Sequence, residues 1–182
     1  MKKILIIGAL LFLCILVSQA QSKFQVNLDY RYMLGLSEKG DVWDFSRKDV
    51  KMYGNALRLS CLYSLSSQVA VGVGIGADRY ETPAYNTLPV FATVHYNPNI
   101  NVPIYLFYDA GYSFETETAV SGFLTDIGIG YKHMIKNHFG LNFQMGYNLK
   151  QFNGKIYNFE TGNNISCTQT RHSLTFGIGF IF

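Results

Sequence analysis

The sequence predicts an all-β fold, an eight-stranded antiparallel up-and-down transmembrane β-barrel. Three observations point there. Apolar residues recur with a period of two in eight segments, the periodicity of a strand whose two faces meet different surroundings. Beyond residue 20, no apolar run approaches the roughly 20 residues that a membrane helix needs. The chain also closes on "RHSLTFGIGFIF", where Leu174, Phe176, Ile178, Phe180 and Phe182 alternate with Ser173, Thr175, Gly177 and Gly179; only Ile181 is out of step.

The first segment, "MKKILIIGALLFLCILVSQA", has Lys2 and Lys3, an apolar run from Ile4 to Val17, and small residues Ser18 and Ala20 before Gln21. This is the pattern of a cleaved signal peptide over residues 1–20, which leaves 21–182 as the barrel domain. Leu13 precedes Cys14 where a lipoprotein site has a different pattern, so lipidation is not expected. The exported chain carries 13 Lys and Arg against 12 Asp and Glu, a net charge of +1 that gives no electrostatic basis for binding nucleic acid. At 48% hydrophobic and 15% aromatic, the chain is too apolar for disorder. Cys61 and Cys167 are expected at opposite ends of the molecule, too far apart for a disulfide.

Strand one, "FQVNLDYRYMLGL", puts Phe24, Val26, Leu28, Tyr30, Tyr32, Leu34 and Leu36 outward, with Gln25, Asn27, Asp29 and Arg31 inward. "NALRLSCLYSL" turns Leu57, Leu59, Cys61, Tyr63 and Leu65 out against Arg58, Ser60 and Ser64. "VAVGVGIGADR" alternates Val69, Val71, Val73, Ile75 and Ala77 with Ala70, Gly72, Gly74, Gly76 and Asp78. "TLPVFATVHY" sets Leu88, Val90, Ala92, Val94 and Tyr96 against Thr87, Phe91, Thr93 and His95. "PIYLFYDAGYSF" and "GFLTDIGIGYK" turn Asp109, Gly111, Ser113, Asp126, Gly128 and Gly130 inward. "HFGLNFQMGYNLK" turns Asn142, Gln144, Gly146 and Asn148 inward, and the terminal segment is the eighth strand. Each has about the length of a tilted membrane strand.

Connections near 37–52, 79–86, 115–121 and 151–170 read as long loops, and those near 66–68, 97–101 and 133–137 as tight turns. Long and short connections taking turns is what a barrel with both termini in the periplasm predicts. The inward face is rich in glycine, which suits the cramped lumen of a small barrel better than the wet face of a soluble sheet. "GVGIGAD" lacks the following helix of a nucleotide-binding loop, so Gly72, Gly74 and Gly76 are read as lumen glycines.

With these elements in place, the chain resembles the small outer-membrane β-barrel proteins of Gram-negative bacteria, of the OmpA-barrel and OmpX type. The resemblance covers essentially all of 21–182 and is architectural. It implies location in the outer membrane, contact with membrane lipid and lipopolysaccharide, and a C-terminal signal for the barrel-assembly machinery at Leu174, Phe176, Ile178, Phe180 and Phe182. Function does not follow from the fold.

The inward charges Asp29, Arg31, Arg58, Asp109 and Asp126 fall near one height, and an unpaired charge there is heavily penalised. The expectation is an Arg–carboxylate network that plugs the lumen. Aromatics form two girdles, Tyr63, Tyr96, Tyr131 and Phe182 at the periplasmic interface and Tyr32, Tyr112, Phe114 and Phe123 at the outer one. The small-barrel lipid A deacylases place His and Ser two apart on the lipid-facing surface, whereas His172 and Ser173 are adjacent and face opposite sides. His95 points inward, His133 and His138 flank a periplasmic turn, and the amphipathic helix that opens the palmitoyltransferase type is missing. No catalytic site, metal site or cofactor is expected. Loops 37–52, with Trp43 and Phe45, and 151–170, with Phe152, Tyr157 and Phe159, offer either an extracellular partner surface or a lid over the barrel mouth. The expected role is structural or surface-interacting; the alternative is binding or lateral passage of a small hydrophobic ligand, as in the OmpW type.

Overall fold

A strand turns successive Cβ atoms to opposite faces, so each alternating segment is committed to a two-faced wall. The structure, a computed structural model, describes residues 23–136, 139–158 and 163–182. The expected signal peptide, His138, Phe159 and the Tyr157 side chain lie outside the described residues.

The strands are β1 (Phe24–Gly40), β2 (Phe45–Ser46), β3 (Tyr53–Ser64), β4 (Val69–Glu81), β5 (Tyr85–Thr87), β6 (Pro89–Tyr96), β7 (Ile104–Ser113), β8 (Gly122–Lys136), β9 (Phe139–Asn158) and β10 (Asn163–Ile181). Every pairing is antiparallel, and β10 returns to β1 from Asn27↔Ile181 to Gly40↔Gln169, so the sheet closes. β2 only borders β1, and β5 continues the register of β6 past Leu88, which leaves eight staves. The fold is therefore the eight-stranded antiparallel barrel that the alternation predicts.

The outward face carries Leu57, Val73, Ile75, Val90, Leu106, Ile127, Met145, Phe176 and Ile178, with Val73 66% exposed and Ile178 51%. A continuous apolar belt of this kind is stable only against hydrocarbon, and closure leaves no unpaired edge within it. At its ends, Tyr96 and Tyr131 are exposed at the inner rim and Tyr32, Tyr112 and Phe123 at the outer rim. The inward face is close-packed because glycines make room for rings. A Cβ on Gly74 would overlap the Phe91 ring and one on Gly130 the Tyr105 ring.

Two expectations about connections fail. Strands overrun the membrane at the outer end: β1 reaches Gly40, the turn after β4 is only residues 82–84, and of loop 151–170 all but 159–162 is strand. The outer 82–84 turn is thus shorter than the inner 97–103 connection, and the alternation of long with short does not hold. Ladder hydrogen bonds need a partner strand and not lipid, so polar sequence continues as a hairpin above the bilayer. At the inner end, β8 runs through the expected 133–137 turn to Lys136, past an irregularity between Met134 and Lys136.

A bulge between Gly35 and Ser37 reverses the faces of the last residues of β1. Ser37 turns outward and Glu38 inward, where simple alternation would place Glu38 in the lipid-facing row. Cys61 lies toward the inner end of β3 and Cys167 in the projecting β9–β10 hairpin, so the two thiols are at opposite ends.

Candidate functional site

The lumen is crossed by one continuous chain of polar contacts. It begins at the inner end, where Lys132 Nζ donates to Gln25 Oε1 at 3.0 Å and lies 4.8 Å from the Tyr105 ring centroid. Asn142 Nδ2 donates to Asp29 Oδ1 at 2.7 Å, the Tyr105 hydroxyl donates to Asn142 Oδ1 at 2.7 Å, and Gln144 Nε2 donates to that hydroxyl at 2.9 Å. His95 stacks on Tyr105 with centroids 4.5 Å apart. Gln144 Oε1 in turn accepts from Arg31 Nε at 3.0 Å, which carries the chain into the charged layer.

There, Arg31 Nη1 reaches Asp109 Oδ2 at 2.9 Å and Asp126 Oδ2 at 3.4 Å. Arg58 Nη2 bonds Asp78 Oδ2 at 2.9 Å and stands 4.0 Å from Asp126, so Asp126 lies between both guanidiniums. Thr87 Oγ1 donates to Asp78 Oδ2 at 3.2 Å. All five ionic side chains are almost fully buried, and the guanidiniums lie over the Phe107 and Phe91 rings at 5.1 and 5.2 Å. Low local dielectric strengthens each such contact and penalises its loss.

Arg31, Arg58, Asp109 and Asp126 thus meet in one layer. Asp29 does not pair with an arginine there; it sits one storey lower and joins through Asn142, Tyr105 and Gln144. Register alone sets Asp29 opposite Arg58 on β3 and Gly179 on β10, but the Arg58 side chain turns away to β4 and Asp78.

A second charged storey closes the outer mouth. Arg171 Nε donates to Glu38 Oε2 at 2.6 Å, and its Nη atoms bond the carbonyls of Glu81 at 3.0 Å and Thr82 at 3.1 Å. Its guanidinium lies between the Tyr80 and Phe152 rings at 5.5 and 5.7 Å, and Tyr85 stacks on Phe152 at 4.4 Å. Trp43 Nε1 donates to the second Glu38 oxygen at 2.9 Å, which ties the 41–52 segment to this storey. In that segment, the Ser46 hydroxyl and backbone N–H donate to Asp49 Oδ2 at 2.7 and 2.9 Å and hold its carboxyl below the ordinary carboxylate range. Between the storeys, buried Lys150 donates to the Ser113 hydroxyl and to the Gly122 carbonyl.

Sequence reasoning missed Asp78, Glu38, Lys150 and Arg171. Asp78 was already on the inward parity of its strand, and the parity of "YNLK" marks Lys150. Glu38 is hidden by the bulge. Along the described strands, the inward cations Arg31, Arg58, Lys132, Lys150 and Arg171 match the inward anions Asp29, Glu38, Asp78, Asp109 and Asp126 in number.

The same architecture is found in solved structures. Outer membrane protein AlkL matches with a TM-score of 0.52 at 13% identity, over 89% of this chain and 90% of that one. The fold is that of a small outer-membrane barrel. Neisserial surface protein A (NspA) matches at a TM-score of 0.47 and 13% identity over 85% of this chain and 95% of that one. OprG from Pseudomonas aeruginosa gives 0.43 and 13% over 87% and 94%. No protein-family model and no curated protein matches the sequence.

On the outer wall, the Tyr147 hydroxyl and His172 Nδ1 share a hydrogen bond, while Ser173 points into the lumen and is fully buried. The bulge brings Ser37 opposite His172 in register, a neighbour that spacing did not reveal. Acyl transfer needs a base bonded to its nucleophile and oriented by a third group, and the His172 ring bonds a phenol instead. His172→Ala is expected to leave the mass spectrum of lipid A from expressing cells unchanged; gain or loss of one acyl chain dependent on His172 would identify an enzyme.

Proposed function

We propose that this protein is a closed, non-enzymatic barrel of the Gram-negative outer membrane, acting as a rigid scaffold that presents its outer segments to an extracellular partner. The observation that carries this reading is the polar chain linking Lys132 through Arg31 and Arg58 to Thr87 across the lumen. Eight strands leave an interior that side chains fill, and here the filling is ionic: each charge of the middle layer meets an opposite charge, although Arg58 Nε and Nη1 and one oxygen each of Asp78, Asp109 and Asp126 have no hydrogen-bond partner among the described residues. Leu174, Phe176, Ile178 and Phe180 form an exposed apolar row beside Phe182, a surface suited to the barrel-assembly machinery. The β9–β10 hairpin and the 41–52 segment are the surfaces on offer outside. Export by a signal peptide cleaved after Ala20 belongs to the same reading.

The test is planar-bilayer recording of the purified barrel. Wild-type protein is expected to show no steady single-channel current; large, long-lived openings would overturn the plug.

One observation favours a second reading, binding or lateral passage of a small hydrophobic ligand. The β4 ladder breaks opposite Leu88 and Pro89, where proline has no N–H to donate, and a cavity of about 420 Å³ lies in the wall beside the break. Its inner end meets Asp78 and Thr87, which are buried and bonded to each other. Passage to the lumen therefore requires rupture of the Arg58–Asp78 pair, and the plugged scaffold is preferred.

A further inference from the structure

The wall cavity has a polarity gradient along its length. Asn55, Arg79 and Asn86 are register partners on β3, β4 and β5 and form a polar row across the outward face. One step toward the membrane centre, Leu57 pairs with Ala77, and Leu88 follows Asn86 on the same face. Leu57 is 52% exposed and Leu88 46%, while Ala77 between them is too short to fill the gap. The result is a trough with an apolar floor, flanked by Tyr30, whose hydroxyl donates to Asn55 Oδ1.

The outer end of the trough is built and fixed. The 114–121 connection folds over it, pinned by Val120 N–H to the Asn86 carbonyl at 2.9 Å and by Asn86 Nδ2 to the Thr118 carbonyl at 3.1 Å. Arg79 is held at the rim by Glu81, through Nε at 2.7 Å and Nη2 at 3.4 Å, and donates from Nη1 to Asn86 Oδ1 at 2.9 Å. That uses three of its five N–H groups, and the half-exposed guanidinium keeps two for a ligand. A guanidinium fork matches phosphate oxygens.

We propose that this trough binds one membrane lipid carrying a phosphate headgroup, an acyl chain lying along Leu57, Ala77 and Leu88 and the phosphate at Arg79. An apolar floor ending at a guanidinium that is paired with Glu81 but keeps two N–H groups to donate, on the lipid-facing wall and at the height where apolar residues give way to polar ones, matches such a lipid along its length. The acyl and phosphate contacts lie on the outward face, while the inner end of the cavity stops at the buried, mutually bonded Asp78 and Thr87.

The experiment is native mass spectrometry of the folded barrel released from a maltoside detergent and titrated with dimyristoyl phosphatidic acid. Wild-type protein is expected to retain one lipid under activation that strips the rest. Ala77→Leu fills the floor without touching the lumen and is expected to weaken retention roughly tenfold; Arg79→Gln is expected to weaken it about threefold. A boiled and unboiled gel comparison establishes that each variant is folded. Ala77→Leu retaining lipid like wild type would overturn the site, as would equal retention of dimyristoylglycerol, competition by inorganic phosphate alone, or release of the barrel as a lipid-free dimer.

Discussion

Arg58→Ala is expected to lower the unfolding free energy by about 3–5 kcal/mol, the scale on which removing one partner of a buried ion pair is felt. Arg58 is 1% exposed, bonds Asp78 at 2.9 Å and stands 4.0 Å from Asp126. Its removal leaves Asp78 with the Thr87 hydroxyl as its one hydrogen-bond donor among the described residues and leaves Arg31 as the one remaining guanidinium for Asp109 and Asp126. It also strips a cation from the face of Phe91. The readout is the urea concentration at which the unboiled, fast-migrating gel band disappears. Arg58→Met combined with Asp78→Leu is expected to recover most of the loss, because paired charges are then replaced by apolar volume. A single-variant loss below about 1 kcal/mol would mean that water solvates the lumen well enough to dispense with pairing, and the plug would fail with it.

How much of this was legible in the sequence depends on whether a residue obeys the period of two. Phe91, Thr93, His95, Asp109, Asp126 and Asn142 lie where alternation puts them, because within the membrane-spanning segment one face meets lipid and the other the lumen. Above the bilayer that rule loses its cause. Polar strands there alternate between two wet faces, so β9 and β10 read as a loop although they continue as ladder from Gln151 to Thr170, apart from residues 159–162. Glu38 needed the position of a single bulge, which no local composition fixes. Arg171 was visible as an inward position of the last strand, but its partners come from the 82–84 turn and from Glu38, 133 residues away. Height along a strand can be counted, whereas the direction a long side chain takes across the lumen is set by tertiary packing, as Asp29 and Arg58 show.

Arg171→Ala separates the two storeys. One guanidinium here binds Glu38 and the carbonyls of Glu81, Thr82 and Pro83, and fills the gap between Tyr80 and Phe152. Without it, the 82–84 turn loses every side-chain donor shown to hold it over the mouth, and Glu38 keeps only Trp43. Cleavage of the turn by added proteinase K is expected to rise roughly tenfold in intact membranes, since local opening governs nicking when the rest of the fold is unchanged. Bilayer conductance is expected to stay shut, because Arg31, Arg58 and their three carboxylates lie deeper and owe nothing to Arg171. Adding Arg58→Ala to Arg171→Ala then opens the path from mouth to middle, and intermittent currents are expected only in that double variant. Steady current from Arg171→Ala alone would relocate the barrier to the outer mouth and make the 82–84 turn, held by one side chain, the gate.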